Sequence, residues 1–386
     1  MSSQKWVAVA RLGSTGDNFL ATSVLPLLKK QGYMVEVITQ PPSHVVFENN
    51  PYIDKLTVKS KEDLPNNNSD WQRYWVGRSK EYDKFFHLSH SIESNLALHP
   101  DSTWFNWPDK ARREKCGKSY LAETHDICDL PHEFRPQFFP TEGELQDARR
   151  TKVKMGPRVI AWVLAGSRID KIYPYSSMAV GRLINETGMP VVMIGAHTEK
   201  DNSSAKAIME HVALQNGTLR GLHEITGHDT WPLRRSLSLV HLCDLVISPD
   251  TGVAWSVACE QMPKIMLLGH ASARNITHGW VNTTTLHANK LTVPCWPCHK
   301  LHDNPSTCVA NKENNGAACI SDITVEDILS AAKEALQREC ILDAAEAVIS
   351  VGEAVGSTGN GHDPETDLLL QQWNLGDSAR GQVKHG

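Results

Sequence analysis

The chain reads as an α/β protein made of two Rossmann-like domains whose parallel sheets face each other across a cleft. Three observations predict this. Its 386 residues exceed what one ordinary core organises. Short apolar runs alternate with amphipathic stretches, the pattern of parallel strands covered by helices on both faces. Two halves of similar size each open with a strand, a glycine-containing turn and a helix. The expected domains are residues 1–154 and 155–340. Residues 341–386 are expected to form a partly flexible polar tail with one apolar anchor at 368–373.

The elements follow in order. Residues 6–11 (Trp-Val-Ala-Val-Ala-Arg) are a buried first strand, and Leu12-Gly13-Ser14-Thr15-Gly16-Asp17 is a tight turn, since glycine permits close backbone approach. Residues 18–31 carry helical apolar spacing and stop at Gly32, the usual residue beyond a helix end. The run 34–39 completes a βαβ unit, with further strands at 55–58 and 82–88. Residues 60–70 are polar and Asn-rich and read as an exposed loop; a helical piece falls at 110–124 and a polar helix at 142–154. The second half predicts strands at 158–164, 190–194, 218–222, 245–248 and 264–268. It predicts helices near 176–186, 199–214, 231–243, 253–259 and 324–338.

Composition narrows the function classes. The hydrophobic content of 40% and charged content of 22% are those of a soluble globular protein. A net charge of -5 gives no global attraction for nucleic acid or anionic membranes. No apolar run approaches a membrane span, and residues 1–20 lack the pattern of a secretory signal, so a cytoplasmic location is expected. Five of the nine cysteines, Cys116, Cys128, Cys243, Cys259 and Cys340, are scattered and read as small core residues. The other four cluster as Cys295-Trp296-Pro297-Cys298, Cys308 and Cys319. Four thiolates opening with Cys-x-x-Cys suit a tetrahedral structural Zn or Fe site, with His299 and His302 as possible substitutes; reduced surface thiols are the alternative. Four protein ligands would leave no open position for catalysis.

Three turns carry the chemistry. The apolar run 245–248 stops at Pro249-Asp250-Thr251-Gly252, and a small-residue helix begins at once. Such a turn leaves a carboxylate, a hydroxyl and backbone N–H groups at the carboxyl edge of a sheet, where ligands bind. The strand 158–164 ends in Ala165-Gly166-Ser167-Arg168-Ile169-Asp170-Lys171, a glycine turn with two cations suited to phosphate; a solvated basic loop is the plain alternative. In the first half Asp17 stands at a helix start and by position alone reads as an N-cap. Its Gly-x-x-Gly spacing departs from the dinucleotide fingerprint, which disfavours a nicotinamide cofactor.

Several motifs occur together in order: residues 11–17, Asn50-Pro51-Tyr52-Ile53-Asp54, and Tyr82-Asp83 with the strand end at Leu88. Gly166-Ser167-Arg168 with Lys171 and Pro174 follows, then Ile225-Thr226-Gly227, the helix at 233–242 and Ser248-Pro249-Asp250-Thr251-Gly252. This set resembles family 9 glycosyltransferases, the ADP-heptose:lipopolysaccharide heptosyltransferase group, over roughly residues 5–335. The resemblance implies a GT-B fold and inverting, metal-independent transfer. The sugar, a heptose or a related one, would come from a nucleotide-diphosphate donor on the second domain. The acceptor, a glycan such as lipopolysaccharide core, would sit on the first. It implies Asp17 as general base, which then outranks the cap, with Gly13, Ser14, Thr15 and Gly16 on the acceptor side. It implies Gly166, Ser167, Arg168 and Lys171 at the donor phosphates, Asp250 at the donor sugar, and the N–H groups of Thr251 and Gly252 at phosphate oxygens.

Family members often carry cysteines near 295–319, and autotransporter heptosyltransferases bind iron through a related motif. One departure concerns Trp255. The family commonly has His three residues after the Gly of Asp-Thr-Gly, so a bulky aromatic here either restacks the donor pocket or fills the core, and the sugar stays open. Other acceptors are a protein or a modified DNA base. DNA would need a basic cleft from Arg73, Arg78, Lys80, Arg112, Arg113, Lys115 and Lys118, which equally read as a solvated face. A catalytically silent nucleotide-sugar binding protein is the reading from another class.

Overall fold

The computed structural model describes residues 4–65, 68–89, 92, 95, 105–196, 198–216, 218–226, 231–299, 308 and 310–338. Gly227, His302, Cys340 and the tail 341–386 lie outside the described residues.

Two all-parallel sheets organise the molecule. The first contains β1 (Trp6–Ala10), β2 (Met34–Thr39), β3 (Lys55–Val58) and β4 (Lys84–His87) in the order β3-β2-β1-β4. Val7, Ala8, Val9 and Ala10 are fully buried, because a central parallel strand is covered on both faces. The second sheet contains β5 (Ile160–Val163), β6 (Val191–Gly195), β7 (Leu222–Thr226), β8 (Leu245–Pro249), β9 (Lys264–Leu268) and β10 (Thr283–His287). Its order is β10-β9-β8-β5-β6-β7. Ile160 pairs with Val191 on one side and Leu245 on the other. Strand order reverses at β5/β8 in this sheet and at β1/β4 in the first, and ligand crevices of doubly wound sheets open at such points.

The helices depart from the sequence reading at places with local causes. The helix expected over 18–31 is two, α1 (Thr15–Thr22) and α2 (Leu25–Lys30), because Pro26 in the first turn of α2 has no N–H for a continuous ladder. Residues 60–65 are turns, as expected of the loop read over 60–70, but the last three positions of that stretch already belong to α3 (Asn68–Ser79), which places Trp75 in a core cluster with Ala8, Ala10 and Ile38. The single helical piece expected at 110–124 divides into α4 (Asp109–Cys116) and α5 (Tyr120–Ile127). The break falls at Gly117, and the Ser119 hydroxyl caps α5 by accepting from Ala122 N–H. Helix α6 (Glu142–Met155) starts with a Thr141/Glu144 capping box and buries Ala148 beside Val159, Val163 and Leu239.

In the second half come α7 (Ser176–Thr187), α8 (Glu199–Asn216), α9 (Leu233–Val240), α10 (Gly252–Ser256) and α11 (Ala273–Ile276). The short strand lies later than expected, at β7. β10 has no counterpart in the sequence reading, because Thr-Thr-Thr-Leu-His is a half-exposed edge without an apolar run.

Buried polar clamps join the halves. Arg234 of α9 donates to Val45 O and Phe139 O, both at 2.8 Å, and pairs with Glu144 at 2.6 Å. Asn275 of α11 donates to Cys116 O (3.0 Å) and Lys118 O (2.7 Å). Arg113 of α4 donates to Cys295 O and Pro297 O, both at 2.7 Å. Among the described residues, no helix is long and apolar enough to cross a membrane.

Candidate active site

At the end of β1 the backbone turns through Gly13, whose φ of 122° is one a side chain rarely adopts. A Cβ there would lie 3.1 Å from Asp17 Oδ2. Ser14, not Asp17, is the N-cap of α1. Its extended backbone (φ -74°, ψ 164°) precedes the helix, and Asp17 is the third helical residue, reaching back as in a capping box. The Ser14 N–H and hydroxyl both donate to Asp17 Oδ2, at 3.0 and 2.7 Å. Arg11 pairs with Asp17 Oδ1 at 3.1 Å and donates to Leu88 O at 2.8 Å. The guanidinium is 2% exposed and the Asp17 side chain 36%, so the cation is interior and the carboxylate reaches solvent.

In the second half, Gly166 is required by packing: a Cβ would come within 2.7 Å of Lys171 Cβ. Ser167 is exposed. Arg168 and Lys171 are not a solvated basic loop, because each is largely buried against a carboxylate. Lys171 Nζ donates to Asp250 Oδ2 at 2.7 Å, and Arg168 Nε donates to Asp170 at 2.9 Å. Asp170 also holds His270 Nδ1 at 2.6 Å. Burial alone would raise the Asp170 pKa; His270 and Arg168 outweigh that and hold it far below the usual carboxylate range. Thr251 caps α10 by accepting from Ala254 N–H at 3.4 Å, and its hydroxyl lies 3.1 Å from Ser248 Oγ. Trp255 does more than fill core: its Nε1–H donates to Asp250 Oδ1 at 3.0 Å.

The two glycine turns touch. A Cβ on Gly252 would sit 2.6 Å from Thr15 Cβ, and one on Gly16 would sit 3.1 Å from Trp255 Cδ1. Asp17 and Asp250 therefore stand on neighbouring helix starts, one from each sheet, joined through glycine contacts.

The chain matches the model of glycosyltransferase family 9 (heptosyltransferase) over residues 105–305, just over half its length. It belongs to glycosyltransferase family 9. Its fold is similar to that of a family 9 glycosyl transferase from Veillonella parvula DSM 2008, at 16% identity and a TM-score of 0.62, covering 88% of this chain and 99% of that one. The ADP-heptose lps heptosyltransferase II of E. coli gives 16% identity, a TM-score of 0.57 and coverage of 86% and 99%. The dodecameric iron-containing heptosyltransferase TibC of enterotoxigenic E. coli, solved with ADP-D-β-D-heptose, gives 12% identity, a TM-score of 0.54 and coverage of 88% and 79%. No curated protein matches the chain. The fold of this family 9 enzyme is thus GT-B, two Rossmann-like domains, and the chain is a glycosyltransferase.

The structure of the family 9 chain also gathers its clustered cysteines. Cys295, Cys308 and Cys319 pack on one hydrophobic cluster, and Cys298 is buried. Burial, then the charge of Asp170 and of the other three thiols, pushes the Cys319 thiol up to about 12. Among the described residues, however, no three His, Cys, Asp or Glu side chains are arranged to hold a metal ion. Five of the seven residues named for a basic cleft have partners within the chain. Arg73 pairs with Asp70, and Arg78 with Glu81 and Glu36. Arg112 stacks on Phe105 at 4.2 Å, Arg113 is spent on backbone carbonyls, and Lys118 pairs with Glu123 and Asp126.

Sequence reasoning gave no role to Arg11, Asp170, His270 or Trp280. Two signals were available. Asp170 lies between two cations of the quoted loop, and Gly269-His270 repeats the pattern of strand followed by glycine at the end of β9.

Proposed function

We propose that this family 9 enzyme transfers a heptose or related sugar, with inversion, from a nucleotide-diphosphate donor to a hydroxyl of a glycan such as lipopolysaccharide core. The observation that carries the reading is the contact of the two turns, which sets the Asp17 and Asp250 carboxylates on abutting helix starts at the switch points of both sheets. The acceptor binds on the first half beside residues 13–16 and the donor on the second, in the cytoplasm. The acceptor oxygen attacks the anomeric carbon and forms the new C–O bond. The bond from that carbon to the diphosphate breaks, and the diphosphate leaves with its electron pair. Asp17 takes the acceptor proton.

Donor recognition rests on the loop 166–171. Arg168 Nη2 is buried without a hydrogen-bond partner among the described residues, which favours an anion beside it. Asp250 uses one N–H of Lys171, and the ammonium keeps two further donors for phosphate oxygens, supporting the charge that grows on the leaving group. Thr251 and Gly252 contribute backbone N–H groups, and Asp250 accepts from a sugar hydroxyl. The ADP-D-β-D-heptose bound to TibC supports this donor class.

Transfer itself uses no metal in this reading. A structural Zn or Fe held by Cys295, Cys298, Cys308 and Cys319 is proposed separately; three of the four pack on one cluster, TibC is iron-containing, and binding would have to draw the thiols together from the arrangement described above. Elemental analysis of the native protein checks it; neither metal in stoichiometric amount would remove it.

The test of function is product formation from ADP-D-β-D-heptose across a panel of core saccharides, followed by mass spectrometry. Lys171→Ala is expected to weaken donor binding, and unchanged affinity counts against the phosphate role. Donor binding with no product on any acceptor would leave a silent binding protein instead.

A further inference from the structure

The geometry points to Trp255 as the positioning residue that fixes the Asp250 carboxylate and spaces it from the acceptor-side turn. The inference rests on the reading of Asp250 as the group that meets the donor sugar. Lys171 holds Oδ2 and the Trp255 indole N–H holds Oδ1, so the carboxylate is tied through both oxygens. With either donor missing, it would gain freedom about its terminal torsion, which is broad for Asp.

The indole is itself wedged. It is 3% exposed and meets the Trp280 ring edge-to-face, with centroids 4.7 Å apart and 72° between planes. Its Cδ1–Nε1 edge lies against Gly16, with Cδ1 at 3.1 Å and Nε1 at 3.6 Å from where a Cβ would be. Gly16 immediately precedes Asp17, so one rigid ring spans from the turn of one carboxylate to the other.

Packing alone does not require this hydrogen bond. The indole nitrogens of Trp75, Trp162 and Trp280 are buried without hydrogen-bond partners among the described residues. This fold therefore accommodates a buried indole N–H without assigning it an acceptor, and the pairing with Asp250 is a specific one.

The experiment is a double-mutant cycle on the full chain, read by calorimetric titration with ADP-D-β-D-heptose and, separately, ADP. Trp255→Phe keeps a packing ring and removes the N–H. It is expected to weaken the sugar nucleotide about tenfold, because a carboxylate no longer held on Oδ1 forfeits most of one charge-assisted hydrogen bond to the sugar, and to leave ADP unchanged. In an Asp250→Ala background the same change should have no further effect beyond about twofold. Gly16→Ala should reproduce the Trp255→Phe pattern, because its Cβ displaces the ring. Trp255→His, which keeps a ring N–H, should recover part of the loss. If Trp255→Phe does not fold, the Gly16→Ala and Trp255→His pair carries the comparison.

Equal weakening of both ligands, or the same loss with and without Asp250, would make Trp255 core filler and overturn the proposal. So would Asp250→Ala weakening the sugar nucleotide while Trp255→Phe and Gly16→Ala do not. If Asp250→Ala changes neither affinity, the donor reading itself fails, which is a distinguishable result.

Discussion

Replacing Asp17 by asparagine separates its structural work from its proposed chemistry. The amide keeps an oxygen to accept from the Ser14 N–H and hydroxyl, so the turn at the start of α1 stays capped. What is lost is the charge facing Arg11 and the ability to take a proton. The Arg11 pair is at 3.1 Å; the carboxylate is 36% exposed and screened, but the guanidinium is 2% exposed, so losing its counter-charge costs about 1–3 kcal/mol. Asp17→Ala removes the capping oxygen as well, at about 1 kcal/mol more. Loss of a general base costs about 10²–10⁴-fold in rate, far more than either stability change can explain. Turnover is read as nucleotide release from ADP-D-β-D-heptose with saturating acceptor, with donor affinity and thermal melting measured alongside. The expected pattern is collapsed turnover, retained donor binding and a melting shift that is larger for Asp17→Ala than for Asp17→Asn. Turnover of the Asp17→Asn variant within about threefold of the original enzyme would refute the reasoning, since base catalysis contributes more than that.

Arg234→Ala should destabilise the protein by about 3–5 kcal/mol in denaturant titration, because Glu144 loses its buried partner and the Val45 and Phe139 carbonyls lose a donor. Arg234→Lys should recover only part of this, since an ammonium cannot span all three as a planar fork does. A pH dependence follows from His241, whose pKa burial pushes down from 6.5 to about 4. The unfolded chain then binds the proton more readily than the folded one. The stability this site contributes is complete above pH 6.5 and is lost as pH falls towards 4, about 3 kcal/mol in all. His241→Gln should flatten the stability profile across that window, and an unchanged slope would exclude the residue as its source.

The parts of the fold legible in sequence are those where burial is two-sided. β1, β5 and β8 are continuous apolar runs because helices cover both faces of their sheets, and that pattern needs no tertiary knowledge. Elements with one solvated side were harder. α3 is polar apart from aromatics that pack inward, and β10 carries three threonines at an edge. The site residues were legible singly, as glycines and charges immediately after strands. Their contacts were not: Gly252 meets Thr15, and Trp255 meets both Gly16 and Asp250, through closure of two domains that no local pattern encodes. Asp17 is a compact case. Cap and third helical residue differ only in the backbone angles of Ser14, which composition does not reveal.

In the proposed donor site a carboxylate stands beside the diphosphate, and this needs a reason, because like charges oppose. Each cation of the donor loop is already paired, Arg168 with Asp170 and Lys171 with Asp250, so a diphosphate must share donors with these carboxylates. Arg168 and Lys171 can both share, having several N–H groups each. Asp170 is interior and locked to His270, whereas Asp250 sits on the turn that meets α1. In that reading Asp250 opposes the phosphates electrostatically and helps only if it gains a hydroxyl from the sugar. Asp250→Asn makes the two effects separable. Removing the charge should strengthen binding of ADP several-fold, while the loss of a charge-assisted hydrogen bond should weaken ADP-D-β-D-heptose. Titration of both ligands reads the two signs directly. If both affinities move the same way, Asp250 does not discriminate sugar from phosphate, and the carboxylate serves only to hold Lys171.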